Sequence, residues 1–373
     1  MINFFVNAAG SFGIRDYVGN RGIEMAGRFD VVLYEDLTML SAVPVTGTIF
    51  AALDQMGPAA LCAAGAIHDE LAGVRPGVPV LNHPLRALQR YALLRRLFEI
   101  GCNRFTVIRA TEDPSALRYP VFIRYEDRHN GSLTPLLHDR HALDRALVDL
   151  TVRGIGPQKL LVVEFCDTSG PDGLYRKYSA MRIGETIIPR HLHAASSWIA
   201  KAQTSAANDD ETLVREELEY LDSHPHQQWL RDVFTEAEIE YGRIDYGLYK
   251  GTPQVWEINT NPTLGRGRHR KPARQGHLAT LREPGRLASH KQMLEAFKGL
   301  ERPDPAPQVR IVLPAPVSLR LKAEAHSHRR AAATQTLRRV LLQSPVSQSL
   351  KGAVRPLIAK IAPAVARVVR NRA

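Results

Sequence analysis

The stretch Arg243 to Gly265, RIDYGLYKGTPQVWEINTNPTLG, constrains this chain more than any other. Two apolar-rich runs, Ile244 to Tyr249 and Gln254 to Ile258, flank Lys250-Gly251-Thr252-Pro253, and turn residues between two such runs predict a β-hairpin. Side chains alternate along a strand, so Glu257 and Asn259, two apart, point the same way. Asp245, on the first strand, lies across the hairpin from them. Two carboxylates and an amide oxygen on one face make a hard, all-oxygen site. Mg²⁺ takes such sites, keeping few protein ligands and room for water and phosphate oxygens. A solvated hairpin with scattered polar residues is the alternative that spacing alone leaves open.

An Asp on one strand, then Glu257-Ile258-Asn259-Thr260 and the loop Asn261-Pro262, resembles the metal-binding hairpin of the ATP-grasp superfamily. That superfamily includes D-alanine–D-alanine ligase, glutathione synthetase and the ribosomal-protein glutamate ligases. The resemblance is strongest over residues 82–265 and does not extend to the tail. It implies an α/β chain with an N-terminal α/β lobe (1–84), a lid lobe (85–166), a catalytic lobe carrying the hairpin (167–300), and a linker with a basic tail (301–373). It also implies ATP with Mg²⁺ or Mn²⁺ held by Asp245, Glu257 and Asn259. The implied reaction activates a carboxylate as an acylphosphate for attack by an amine. A small-molecule kinase on the same scaffold, or a non-catalytic nucleotide-binding scaffold, are the alternatives.

Residues 85–100 read as an amphipathic helix with Leu88, Leu93, Leu97 and Phe98 inward, closed by Gly101. By pattern alone Arg86, Arg90, Arg95 and Arg96 are its wet face. In the superfamily a Lys of this helix contacts nucleotide phosphates, and Arg90 stands in its place. Pro120 to Arg124 is a strand ending in a cation, and Arg124 takes a second Lys position. A guanidinium keeps the charge but replaces a point charge with a planar fork. In the loop that follows, Asn130-Gly131-Ser132 offers backbone N–H groups to phosphate, or forms a plain hairpin turn. The apolar run Leu160 to Phe165 predicts a central strand. The resemblance sets the segment Glu164, Phe165 and Asp167 beside adenine and ribose. A second hairpin over 173–189 turns at Gly184-Glu185, with Tyr175, Lys177, Ser179 and Met181 on one face. Lys177 is expected at phosphate or at a substrate carboxylate, and Arg243 near the acylphosphate. His191 and His193 alternate about Leu192, but no third ligand stands at zinc spacing.

A chain of 373 residues is long enough for two or three lobes. The short apolar runs Ile2 to Val6 and Asp30 to Tyr34 predict strands, and Thr48 to Leu71 a helix interrupted at Gly57-Pro58. No glycine-rich dinucleotide fingerprint or P-loop occurs. Residues 208–241 predict two helices divided at His224-Pro225. The net charge of +11 is local: residues 301–373 hold 14 Lys+Arg against 3 Asp+Glu, so the other 300 residues sum to zero. In the tail, Leu350, Val354, Leu357, Ile358, Ile361 and Val365 form a stripe beside Lys351, Arg355, Lys360 and Arg367. That stripe is compatible with an anionic membrane surface, nucleic acid, a protein partner or disorder. The absence of aromatics after Phe297 argues against base stacking. No run approaches the roughly 18–20 apolar residues of a membrane helix, and no basic segment precedes the first apolar run as in a secretory leader. Three scattered cysteines (Cys62, Cys102, Cys166) predict a reducing, cytoplasmic setting. The expected partners are small-molecule or peptide carboxylates and amines, and a second copy in a homodimer.

Overall fold

The computed structural model describes residues 1–129, 131–199, 210–265, 276–302 and 307–325. The first lobe contains β1 (Ile2–Val6), α1 (Ser11–Val18), β2 (Phe29–Leu33), β3 (Ala42–Pro44), β4 (Gly47–Phe50), α2 (Pro58–Val74) and β5 (Val80–Leu81). Four of these strands form a parallel sheet in the order β2-β1-β4-β5. Every residue of β1 is buried, as a strand covered on both faces requires. Thr48 to Phe50, expected to open a helix, instead extend the sheet beside β1, and α2 begins only at Pro58, where its missing N–H costs nothing.

The middle lobe contains α3 (Arg90–Glu99), β6 (Val107–Arg109), β7 (Val121–Tyr125), α4 (Arg140–Val152) and β8 (Leu160–Glu164), with an antiparallel sheet ordered β6-β8-β7. Leu143 and Leu150 of α4 pack on one side with Ile123 and Val162, and Leu94 of α3 packs on the other with Val107 and Val163. α3 starts five residues later than the periodicity predicts. The preceding turn is held by His83 Nδ1, which accepts the Leu85 N–H at 3.1 Å. Phe98, expected inward, is 37% exposed.

The third lobe is built on β9 (Tyr175–Ile183), β10 (Thr186–Ala195), β11 (Tyr241–Tyr249) and β12 (Thr252–Asn259), an antiparallel sheet ordered β10-β9-β11-β12. One face, with Tyr178, Ile244 and Tyr246, packs on α5 (Glu211–Ser223) and α6 (Gln227–Glu236) through Tyr220, Leu230 and Phe234. The other face is divided. Met181, Ile188 and Tyr241 meet Phe297 of α7 (His277–Leu300) and Phe4 of the first lobe, while its far end stays polar. Asn82 joins the lobes: fully buried at φ 65°, it donates to the carbonyls of Phe50 and Tyr241 (3.0 and 2.7 Å) and accepts the N–H groups of Glu240 and Tyr241 (2.8 and 2.9 Å).

The expected linker and tail begin as folded structure. β13 (Gln308–Arg310) pairs antiparallel with β3, and residues 315–325 are helical with Leu321 buried. The Glu324 carboxylate accepts the N–H groups of Ala59 and Ala60 (3.2 and 3.1 Å) at the start of α2. The stripe between Leu350 and Arg367 lies outside the described residues. Among the described residues no helix is long and apolar enough to cross a membrane.

Candidate active site

Two bulges build the polar face of the third sheet. β11 and β12 are joined by Lys250 and Gly251, both at positive φ (48° and 80°), the conformation a two-residue hairpin turn needs. From that turn, Tyr249 pairs with Thr252 and Tyr246 with Val255. Continued unbroken, this register would set Asp245 opposite Trp256 and turn Glu257 to the far face. A shift after Tyr246 instead pairs Asp245 with Glu257 and Arg243 with Asn259, so all four side chains share one face. Asn103, 2% exposed, fastens the edge strand beside this bulge: its carboxamide accepts the Val255 N–H (2.8 Å) and donates to the Val255 carbonyl (3.0 Å). The second bulge is in β10. Pro189 pairs with Ala180, then His191 with Ser179 and His193 with Lys177, leaving Arg190 as the extra residue. His191 and His193 thereby join Lys177, Ser179 and Asp245 on the same face.

Each carboxylate here is held by cations. Asp245, 4% exposed, accepts from Lys177 Nζ (2.9 Å) and Ser179 Oγ (2.8 Å), with Arg243 Nε 3.3 Å away. Burial opposes its ionisation, but Arg243 and Lys177 outweigh burial and hold the carboxyl below the usual range. Glu257 Oε2 accepts from Arg90 Nη2 and Arg124 Nη2, each at 2.6 Å. Burial is again overcome, by Arg124, His129 and Arg90, and Glu257 lies well below the ordinary glutamate value. Arg90 Nη1 also donates to the carbonyls of Tyr125, Glu126 and Arg128 (3.0, 2.7 and 3.0 Å). Arg90 is therefore 5% exposed and no part of a wet face.

His129 and Asp54 complete the network, and nothing in the sequence pattern singled them out. His129 Nδ1 lies 3.5 Å from Glu257 Oε1, and Nε2 lies 2.9 Å from Asp54 Oδ2. Burial pulls the His129 pKa down, but the hydrogen bonds to Asp54 and Glu257 prevail and raise it to about 9. A crevice lined by Leu53, Asp54, Arg90, His129 and Thr260 borders these groups. Ser179 also belongs to the site; its alternation with Lys177 was the available signal. Asn259 Oδ1 accepts the Asn261 N–H at 2.8 Å.

The remaining expected residues divide. Glu164 is 3% exposed and closed to a ligand, because its carboxylate accepts the Arg118 N–H and Nη2 (both 2.7 Å) and the Thr106 N–H (3.1 Å). Phe165 and Phe122 both face the Trp198 ring, at centroid distances of 5.8 and 4.9 Å. Asp167 is exposed and accepts the Ser169 N–H at 3.1 Å. Gly131 adopts φ 86°, and Ser132 Oγ donates to the Thr134 carbonyl at 2.6 Å in a turn that bridges back to Arg124. Asn130 and residues 266–275, beyond the hairpin, lie outside the described residues. Elsewhere, His68, Asp69 and His83 bring three ligand-type atoms together. There the Leu85 N–H on His83 Nδ1 puts the ring hydrogen on Nε2, facing Asp69 Oδ1 at 3.1 Å, so this imidazole presents a proton and not a lone pair.

The donor set Asp245, Glu257 and Asn259 suits a hard divalent cation. Around it stand four cations, Arg90, Arg124, Lys177 and Arg243, for two carboxylates. The Nε groups of Arg90 and Arg124 are buried without a hydrogen-bond partner among the described residues. Buried unpaired donors of this kind suit the oxygens of an anionic ligand.

No protein-family model and no curated protein sequence matches the chain. Solved structures do match. D-alanine–D-alanine ligase from Bacillus anthracis, complexed with ATP, matches at 12% identity and TM-score 0.43, over 87% of this chain and 98% of that one. D-cycloserine synthetase matches at 13% identity and TM-score 0.40, over 79% and 98%. The ATP-grasp RimK domain protein from Sphaerobacter thermophilus matches at 14% identity and TM-score 0.39, over 79% and 98%. Each is a likeness to a solved structure at 14% identity or less.

Proposed function

We propose that this chain is an ATP- and Mg²⁺-dependent ligase of the ATP-grasp superfamily that joins a carboxylate to an amine through an acylphosphate. The observation that carries the reading is the acid pair Asp245 and Glu257, set opposite each other by a bulge and surrounded by four cations. Asp245, Glu257 and Asn259 would hold Mg²⁺, which supplies charge neutralisation at the β- and γ-phosphate oxygens. Arg90, Arg124 and Lys177 neutralise the phosphates by exchanging a carboxylate partner for a phosphate one. Phe122 and Phe165 wall the base, Gly131 and Ser132 close over the phosphates, and Asp167 takes the ribose hydroxyls. A substrate carboxylate oxygen attacks the γ-phosphorus and ADP leaves. An amine then forms the C–N bond while the C–O bond to phosphate breaks, with Arg243 beside the departing anion. No side-chain nucleophile is needed, and rate comes from positioning and electrostatics.

Calorimetric titration with ATP, with and without Mg²⁺, tests the nucleotide half. Mg²⁺-dependent binding in the wild type that disappears in Glu257→Gln is the expected result; equal binding with and without the metal would refute it. A second reading has one observation in its favour: both arginines that replace the superfamily's lysines hold Glu257 itself. A nucleotide-binding scaffold would bind ATP and return it unchanged, whereas the ligase releases ADP and phosphate together with an amide.

A further inference from the structure

Two side chains on the polar face have no part in the reading above. The β10 bulge at Arg190 turns His191 and His193 onto the face of Lys177, Ser179 and Asp245. Their rings stack at a centroid distance of 4.3 Å and an interplanar angle of 17°. Both are only partly buried, and among the described residues no other side chain hydrogen-bonds to either ring. The charged groups that act on them come from every neighbouring element: Lys177 on β9, Arg190 on β10, Arg243 and Asp245 on β11, and Arg286 on α7. Lys177, Arg190, Arg243 and Arg286 are hydrogen-bond donors only, and Asp245 is already engaged by Lys177 and Ser179. Among the described residues the imidazoles are thus acceptors on this side of the site that no donor side chain occupies, His193 having only a backbone bond with Leu192.

We propose that His191 and His193 form the proton acceptor of the site, taking the N–H proton that the nucleophilic amine gives up; this rests on the ligase reading. As the amine nitrogen forms the C–N bond, the C–O bond to phosphate breaks and phosphate leaves with the electron pair. The proton shed by nitrogen passes to an imidazole nitrogen, and from there to water. Burial and then the neighbouring cations hold His191 well below the ordinary histidine range and His193 at about 4 in the empty site. Anionic oxygens at Lys177 and Arg243 offset the part of that depression the cations cause, so loading the site shifts the pair toward greater basicity. Stacked rings repel a second charge, and the pair takes up one proton.

Calorimetry of MgATP binding at about pH 6, in two buffers of different ionisation enthalpy, reads proton uptake directly. The wild type is expected to take up a fraction of one proton per bound nucleotide at about pH 6 and none at about pH 8, where the loaded pair stands neutral to receive the amine proton. The double variant His191→Asn/His193→Asn, with native circular dichroism, is expected to lose that uptake. Should the double variant fail to fold, His193→Gln alone carries the same comparison. Binding without uptake, or equal uptake in the variant, overturns the proton acceptor and leaves the ligase reading standing. Loss of MgATP binding in a folded variant also overturns it, because the pair would then be a nucleotide ligand. No MgATP binding by the wild type removes the ligase reading, and the acceptor with it.

Discussion

Glu257 is where the three lobes meet, since its carboxylate touches Arg90 and Arg124 of the middle lobe and faces His129, which reaches Asp54 of the first. Removing its charge takes the carboxylate from Arg124 and Arg90, yet Arg90 keeps three carbonyls. Asp245→Asn and Glu257→Gln are therefore expected to fold, and to lose ADP formation by at least about 10²-fold on the scale of removed transition-state stabilisers. ADP release at the wild-type rate in both would sink the site assignment. Asn82 is the structural counterpart. Asn82→Ala abandons four hydrogen bonds in the interior and is expected to destabilise by about 2–4 kcal/mol in urea denaturation. The histidine pair sets a pH dependence. His193 has a folded pKa of about 4, below its unfolded value near 6.5, so the unfolded chain binds the extra proton. Stability is complete above about pH 6.5 and falls as pH drops toward 4. Denaturation midpoints across that window should fall less in His193→Gln than in the wild type.

At the scale of elements, the hairpin was legible and its register was not. The alternation of apolar residues about Lys250-Gly251 sufficed to place both strands and to put Glu257 with Asn259. Whether Asp245 shares their face depends on one extra residue in β12, and a strand pattern does not announce a bulge. Deleting Trp256 removes the extra residue and leaves Glu257 opposite Asp245 in a plain register; the expected outcome is retained Mg²⁺-dependent nucleotide binding. Lost binding in a folded variant would mean that setting the acids opposite each other does not suffice. Asn103→Ala removes the clasp on Val255 and should cost about 1–3 kcal/mol, read as a lower denaturation midpoint. In α3 the periodicity was right about Leu93 and Leu97, but a helical wheel cannot tell a wet face from a cleft, so Arg90 looked like a surface residue.

At the scale of the molecule, the described part of the segment after residue 302 is folded structure. β13 and the helical turns to residue 325 belong to the first lobe, and Glu324 satisfies the opening N–H groups of α2. Truncation after residue 300 is expected to lower Tm by about 3–6 °C, and truncation after 325 to leave it unchanged. Equal Tm values for the two would refute the docking. Sequence by itself determined the lobes' building blocks, the hairpin, the oxygen donors, and the separation of a neutral body from a basic tail, because periodicity and turn chemistry are local. Tertiary structure alone decided which partners meet. Asp54 reaches His129, Glu164 is closed off by Arg118, and two bulges aim Glu257 and the histidines at one face. Those outcomes depend on how strands slip and lobes pack, and residues 46 to 167 positions apart carry no mutual signal along the chain until burial forces their charges together.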